Sequence, residues 1–423
     1  MLAGEVAVPE QVIVSMGEIA GAAREGLLAL AVSTGLQVMA AMFDEDVSRL
    51  CGPGGRHNPD RAGYRHGTEA GSVTLGGRRV PVTRPRVRAA DGSGELHLPS
   101  YGLFSGTEVL GQMALEKMPA GLSSRRYVRG LEPAGQAVEQ AAGSTSKSAV
   151  SRRFIAATET ALAELMSKRL DDLDLVAFMV DGVHFGEHTC IVALGIGSDG
   201  TKYPLAVEEG STENATLVTD LITGLRDRGL DVTKPVLAVL DGAKALSSAV
   251  KKVFDKPVIQ RCQQHKIANV RDKLPDKLKA VAEKRMRQAY HAESALKAEA
   301  ELETLARELD KTHPGAAASL REGMTETITV LRLGVPPTLA RTLRSTNTIE
   351  SMIGICREHS KNVKRWRDGT MALRWCAAGM IEAGRQFRRV NGHRHLAKLR
   401  AALEACFTEN VTAVSQNEDQ KAA

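Results

Sequence analysis

Residues 174–209 read DLVAFMVDGVHFGEHTCIVALGIGSDGTKYPLAVEE. DLVAFMV is a run of apolar, β-favouring residues that ends at Asp181. HTCIVALGI and TKYPLAVEE are separated by the turn signal SDG, so they predict a hairpin. The same regularity continues downstream. ENATLVTDLITGLRDRG is amphipathic at helical spacing, PVLAVL is a buried strand ending at Asp241, AKALSSAVKKVF is a helix and PVIQRC a short last strand. The order β-β-β-α-β-α-β predicts an antiparallel meander extended by parallel strands with crossover helices. The expected core is therefore a mixed five-stranded α/β sheet beginning in residues 171–264.

Residues 265–340 are helical in pattern, strongly charged, and punctuated by Pro314, Pro336 and Pro337. They carry no strand signal and predict an all-helical insertion. Residues 341–407 then resume the core. In TNTIESMIGICREHSKNVKRW the apolar positions Ile349, Met352, Ile353 and Cys356 form a helical stripe. Asn347, Glu350, Arg357 and Lys361 fall on the adjoining face.

Upstream of the core the chain changes character three times. Residues 1–50 are Ala- and Leu-rich and apolar on more than one face, so they need the protein body or a second copy to cover them; dimerisation is one reading and core packing the other. Residues 51–106 are rich in Gly, Pro and Arg. SVTLGGRRVPVT suits a hairpin turning at Gly76-Gly77, a ribbon whose Arg78, Arg79, Arg84, Arg86 and Arg88 could lie along a DNA groove. Residues 107–170 return to helix. GLSSRRYVRGL predicts one helix capped at Ser123 or Ser124. A turn at Gly143 and a second helix exposing Lys147, Ser148, Ser151, Arg152 and Arg153 complete a helix-turn-helix layout. Residues 408–423 are polar and expected to be disordered.

Bulk properties narrow the class. At 423 residues the chain exceeds one compact core. A net charge of +6 is modest, but it is concentrated in residues 56–88 and after residue 340. Such clustering is the electrostatic footprint of nucleic-acid binding. The six cysteines are scattered without paired metal spacing, which fits a reducing cytoplasm. The start has no signal-peptide pattern. No stretch approaches about 18 apolar residues, so no membrane span is expected.

A carboxylate amid basic residues needs a reason, and Asp181, Asp241 and Glu350 supply one together. Acids at the ends of neighbouring strands project to one edge of a sheet, and a helix can bring a third. Mg²⁺ prefers hard oxygen ligands. Two such ions about 3.5–4 Å apart serve an in-line phosphoryl displacement. Without a cation, three carboxylates would repel a phosphodiester and each other. Glu208, Glu209 and Asp174 are competing acids by pattern alone.

DGVHFGEH, EEGSTENA, LDGAKAL, Cys262 and His265 in QRCQQHK, and STNTIES together resemble the Mutator-type transposases, in their large bacterial insertion-sequence branch. The resemblance spans residues 60 to 395. It implies an RNase H-like core with an acidic triad and a helical insertion between the second Asp and the Glu. It carries the catalytic and metal-ligand roles onto Asp181, Asp241 and Glu350, with two Mg²⁺ that Mn²⁺ can replace, and favours these acids over Glu208 and Glu209. Cys262 and His265 match the family's cysteine–two residues–histidine motif. Together with Asn347 they are expected to support the site; a packed cysteine with a capping histidine is the alternative.

The expected function is a DNA transposase that binds the terminal inverted repeats of its element. It would hydrolyse a phosphodiester there and join the freed 3′-hydroxyl to target DNA. Arg357, Lys361, Lys364 and Arg365 would track the backbone. The reaction implies a homodimer or higher assembly on double-stranded DNA, at the nucleoid of a bacterial cytoplasm. A cleavage-only nuclease or resolvase and a non-catalytic DNA-binding regulator remain as alternatives.

Overall fold

Apolar runs in residues 174–262 form the strands expected of them. The computed structural model describes residues 23–407 except 57, 212 and 213. The start of the N-terminal helical segment (1–22), the polar tail (408–423) and part of EEGSTENA lie outside the described residues. The chain divides into two units, Met1–Ala157 and Thr158–Ala423.

The first unit contains α1 (Leu27–Cys51), β1 (Gly63–Leu75), β2 (Arg78–Ala89), β3 (Glu95–Leu96), α2 (Pro99–Ser105), α3 (Glu108–Lys117), α4 (Gln136–Ala141) and the start of α5 (Lys147–Ser167). β1 and β2 pair antiparallel with Leu75 opposite Arg78. This leaves Gly76-Gly77 as a two-residue turn. Both have positive φ, 54° and 77°, which a side chain would disfavour. Val73, Val80 and Val87 are buried with Met39, Phe43 and Val47 of α1. By length and composition α1 could cross a bilayer, contrary to the sequence reading that no stretch comes near this. In the described structure it carries the fully buried Asp46, which accepts the Ser100 N–H at 2.8 Å.

Residues 118–135 depart from the expected helix. Only a 3-10 turn forms, at Tyr127–Gly130. Gly121 and Gly135 adopt φ of 112° and 92°, which end helical propagation on either side.

The second unit continues with β4 (Leu175–Phe185), β5 (His188–Gly197), β6 (Lys202–Glu209), α6 (Ala215–Asp227), β7 (Val236–Leu240), α7 (Lys244–Val253) and β8 (Pro257–Arg261). Helices follow: α8 (Gln263–Arg271), α9 (Asp276–Ala289), α10 (Ala295–Asp310), α11 (Pro314–Arg321), α12 (Met324–Thr327), α13 (Thr329–Arg332), α14 (Pro337–Leu343), α15 (Asn347–Ser360), α16 (Gly369–Gln386) and α17 (396–407). The sheet order is β6-β5-β4-β7-β8. β6, β5 and β4 are antiparallel, whereas β4, β7 and β8 run parallel. α6 and α7 cover one face of this mixed sheet through Val218, Ile222, Leu246 and Val250. α15 and α16 cover the other through Ile349, Met352, Cys376 and Met380.

One boundary needs correction. β4 does not end at Asp181; it runs on to Phe185, with Asp181 opposite Val192. Asp-Gly reads as a turn, but the turn comes at Gly186, where φ is 63°. The parallel ladder with β7 does stop early, at Met179–Val239.

β8 would be an open edge, a liability in any sheet. The helices cover it with hydrogen bonds. Gln260, fully buried, accepts the Val330 N–H at 2.8 Å and donates to the Thr327 carbonyl at 2.9 Å. The Thr329 hydroxyl donates to the Ile259 carbonyl at 2.8 Å. Gln260→Ala should therefore lower unfolding stability by about 2–3 kcal/mol in urea titration, because it strands buried polar groups. A loss below about 0.5 kcal/mol, the ordinary surface range, would show that this amide does not hold the edge.

Candidate active site

Asp181 lies two residues beyond the last β4–β7 pair, and Asp241 directly follows β7. Parallel neighbours thus deliver both acids to the same end of the sheet. Asp181 accepts the Gly182 N–H at 2.7 Å, and Asp241 accepts the Ala243 N–H at 2.8 Å. Between strand and α7, Gly242 takes φ 108°, and a Cβ there would strike the Arg261 guanidinium.

Glu350 enters from the first turn of α15. The charges of Glu350 and Asp241 are felt at Asp181. The Asp181 carboxyl is pushed up to about 6, chiefly by burial. The Gly182 N–H and the His265 charge oppose this, and the like charges of Asp241 and Glu350 reinforce it. A site in this condition favours a cation.

Thr346, buried at the head of α15, links Glu350 to the Cys262–His265 pair. Its hydroxyl lies 2.5 Å from Glu350 Oε1, 3.3 Å from His265 Nδ1 and 3.3 Å from Cys262 Sγ, and its N–H donates to Sγ at 3.4 Å. A hydroxyl has one proton, and the short bond to Glu350 takes it, so Thr346 Oγ1 accepts from His265. His265 is raised to about 9. Its hydrogen bond with Cys262 is the largest cause; burial opposes it, and the charges of Cys262, Asp181 and Glu350 add to it. Burial pushes the Cys262 thiol up, but hydrogen bonds with His265 and Thr346 outweigh it and leave a net lowering.

Glu350 also belongs to a tighter group. Cys262, His265 and Glu350 have donor atoms all within 4.8 Å of one another. Among the described residues Asp181 and Asp241 do not join them in a group that tight, although carboxylate oxygens are the donors a hard divalent ion takes. Thr346 was missed in the sequence, where its only signal is a hydroxyl four residues before Glu350 at a helix start. Asn347 is exposed on the same first turn.

The expected DNA-contact residues divide sharply. Arg78 is 3% exposed and donates to the Gly76 and Glu132 carbonyls, so it is corrected to a structural residue. Arg79 donates to the Ser105 carbonyl at 2.6 Å and to Ser72, and it too serves the fold. Arg84 and Arg86 form ion pairs with Glu69 and Glu95, whereas Arg88 is exposed. At the start of α5, Lys147, Ser148 and Arg152 are exposed, Ser151 is half-buried, and Arg153 donates to the Ser144 carbonyl at 2.7 Å. Ser144 has a φ of 71°, rare for a residue other than glycine.

Arg357, Lys361, Lys364 and Arg365 are exposed after Glu350, with Lys361 paired to Glu358. Trp366 anchors their loop, its ring 4.9 Å from Phe185 at the end of β4 and 6.5 Å from Trp375. The strand carrying Asp181 thus helps position the basic loop.

Comparison with known proteins bears on this arrangement. The family model described as "Transposase, Mutator family" matches residues 17–389. The chain is 29% identical over 287 residues to the transposase for insertion sequence element IS6120 of Mycolicibacterium smegmatis, covering 66% of this chain and 86% of the relative. It is 24% identical over 373 residues to the transposase for insertion sequence element ISRM5 of Rhizobium meliloti, covering 86% and 90%. It is 26% identical over 279 residues to the transposase for insertion sequence element IS256 in transposon Tn4001 of Staphylococcus aureus, covering 63% and 68%. With the match spanning nearly all the described residues, this chain belongs to the Mutator family of transposases.

Proposed function

We propose that the chain is a DDE-type DNA transposase with an RNase H-like core. It binds the terminal inverted repeats of its insertion sequence, hydrolyses a phosphodiester at each end and transfers the freed 3′-hydroxyl to target DNA. The observation that carries this reading is the delivery of Asp181 and Asp241 to one end of the sheet by the parallel strands β4 and β7, with the charge of Glu350 on α15 felt at Asp181.

The donor set fits magnesium: three carboxylates, one of them held against ionisation by burial and like charge. A pair of Mg²⁺ ions bound there would supply Lewis-acid activation of the attacking oxygen and stabilisation of the leaving one. The protein's own part is positional. Asp181, Asp241 and Glu350 would hold the ions, with Glu350 oriented by the Thr346 hydroxyl. His265 offsets part of the acids' repulsion while remaining bonded to Cys262 and Thr346. Arg357, Lys364 and Arg365 hold backbone phosphates beside the site. Water is the nucleophile in cleavage and a DNA hydroxyl in transfer, so no covalent enzyme intermediate is required. Handling two ends together calls for at least a dimer on DNA.

In this reading α4, the turn at Ser144 and α5 form the helix-turn-helix reader, with Lys147, Ser148 and Arg152 toward DNA. Arg152→Ala should reduce the slope of log affinity against log salt by about one unit, the signature of one lost phosphate contact. An unchanged slope would remove Arg152 from the interface. Strand-transfer products on element-end DNA separate this function from cleavage alone.

A further inference from the structure

The link from the helical insertion into α15 holds a group of cations that the site described above does not use. Arg341, on α14, and Arg344, which caps it, are three residues apart on one helical face. Arg344 Nη1 donates to His291 Nε2 at 2.7 Å, and His291 Nδ1 donates to the Arg287 carbonyl at 2.7 Å. Guanidinium can only donate and a carbonyl only accept, so in this geometry Nε2 accepts and Nδ1 donates. The imidazole gives Arg344 an acceptor but no counter-charge.

Arg344 is half-buried. Among the described residues, no carboxylate lies within ion-pair distance of Arg341 or Arg344, whereas Arg287 pairs with Glu283 at 2.8 Å. Burial, then the like charges of Arg341 and Arg287, lower the proton affinity of Arg344. Holding like charges together in a half-buried place is unfavourable unless an anion joins them. The group borders the acids: the Arg344 carbonyl accepts the Gln263 N–H at 3.0 Å, and Thr346, two residues on, holds Glu350.

We infer that Arg341 and Arg344 form a binding site for a DNA backbone phosphate flanking the scissile one, with Arg344 oriented by His291 of the insertion. This rests on the transposase reading and gives the insertion a role in it: it helps grip the strand as that strand leaves the acids. Planar guanidinium forks suit phosphate oxygens, and a polyanion supplies the charge the group lacks.

The test is binding of a fluorescein-labelled random-sequence duplex to the full chain in EDTA, titrated with salt. Cleavage plays no part, so failure here is distinct from failure of the catalytic reading, which active-site variants test. Arg341→Ala should lower the salt slope by about one unit, and Arg341→Ala with Arg344→Ala by about two. Arg341→Lys should keep most of the slope. Lys277→Ala, an exposed charge elsewhere on the insertion, should leave it unchanged. Because Arg341 is exposed and has no protein partner among the described residues, its variants should melt as wild type does, even if Arg344→Ala is destabilised. A wild-type slope in Arg341→Ala overturns the inference. So does an equal fall in Lys277→Ala. If inorganic phosphate at matched ionic strength raises the Tm of wild type but not of Arg341→Ala, while the duplex slope is unmoved, the group takes free phosphate and the DNA assignment is lost.

Discussion

Asp181→Asn should reduce Mg²⁺-dependent cutting of a plasmid carrying the element ends by at least about a thousand-fold, or about 4 kcal/mol of barrier. Asn keeps the size of the side chain but lacks the charge that holds a divalent ion. Asp241→Asn and Glu350→Gln should do the same. The three losses should not add, because residues acting as one unit fail together. Duplex binding in EDTA should stay near wild type in all three, since none of these acids offers anything to a phosphate. If any one variant cuts at near wild-type rate in Mg²⁺, that residue is not a ligand.

The same replacement should stabilise the metal-free protein. Asp181 titrates near 6 in the fold against 3.8 for the free side chain. An acid with a raised folded pKa binds more protons folded than unfolded. Its ionisation therefore subtracts stability as pH rises from about 4, and the subtraction is complete above about 6. At neutral pH it amounts to up to about 3 kcal/mol. In EDTA at pH 7.5, Asp181→Asn should raise the Tm, and at pH 4 the gain should vanish. Adding Mg²⁺ should raise the Tm of wild type and leave that of the variant unmoved. A variant no more stable than wild type at pH 7.5 would mean that Asp181 is not held in the crowded, buried state described here.

Periodicity made the core legible. Runs such as PVLAVL and the amphipathic ENATLVTDLITGLRDRG carry one structural meaning each, and the strand-helix alternation of residues 174–262 could be read directly. Asp181 and Asp241 were legible because they adjoin such strands. Two features were not. The true end of β4 was obscured because Asp-Gly mimics a turn, while cross-strand pairing with β5 carries the strand past it to Gly186. Thr346 was invisible because its partners, Cys262 and His265, lie more than eighty residues away in sequence.

The arginines show the limit of composition most plainly. Arg78 and Arg84 look alike in a basic ribbon, yet one is buried against carbonyls and the other is bound to Glu69 and Glu95. Sequence counts charges but does not show which of them the fold has already used. The converse holds for Arg341 and Arg344, which belong to the same basic run as Arg357 but have no carboxylate partner among the described residues. The 3-10 turn at Tyr127–Gly130 likewise reflects glycine conformations that a capping pattern cannot overrule.

Whether three distant acids share divalent ions is best measured by Mn²⁺ titration followed by electron paramagnetic resonance, on wild type and on Asp181→Asn, Asp241→Asn and Glu350→Gln. The expected result is tight Mn²⁺ binding by wild type that is weakened in every one of the variants and displaced by Mg²⁺. Undiminished Mn²⁺ binding by all three variants would contradict a shared site and, with it, the chemistry assigned to this fold.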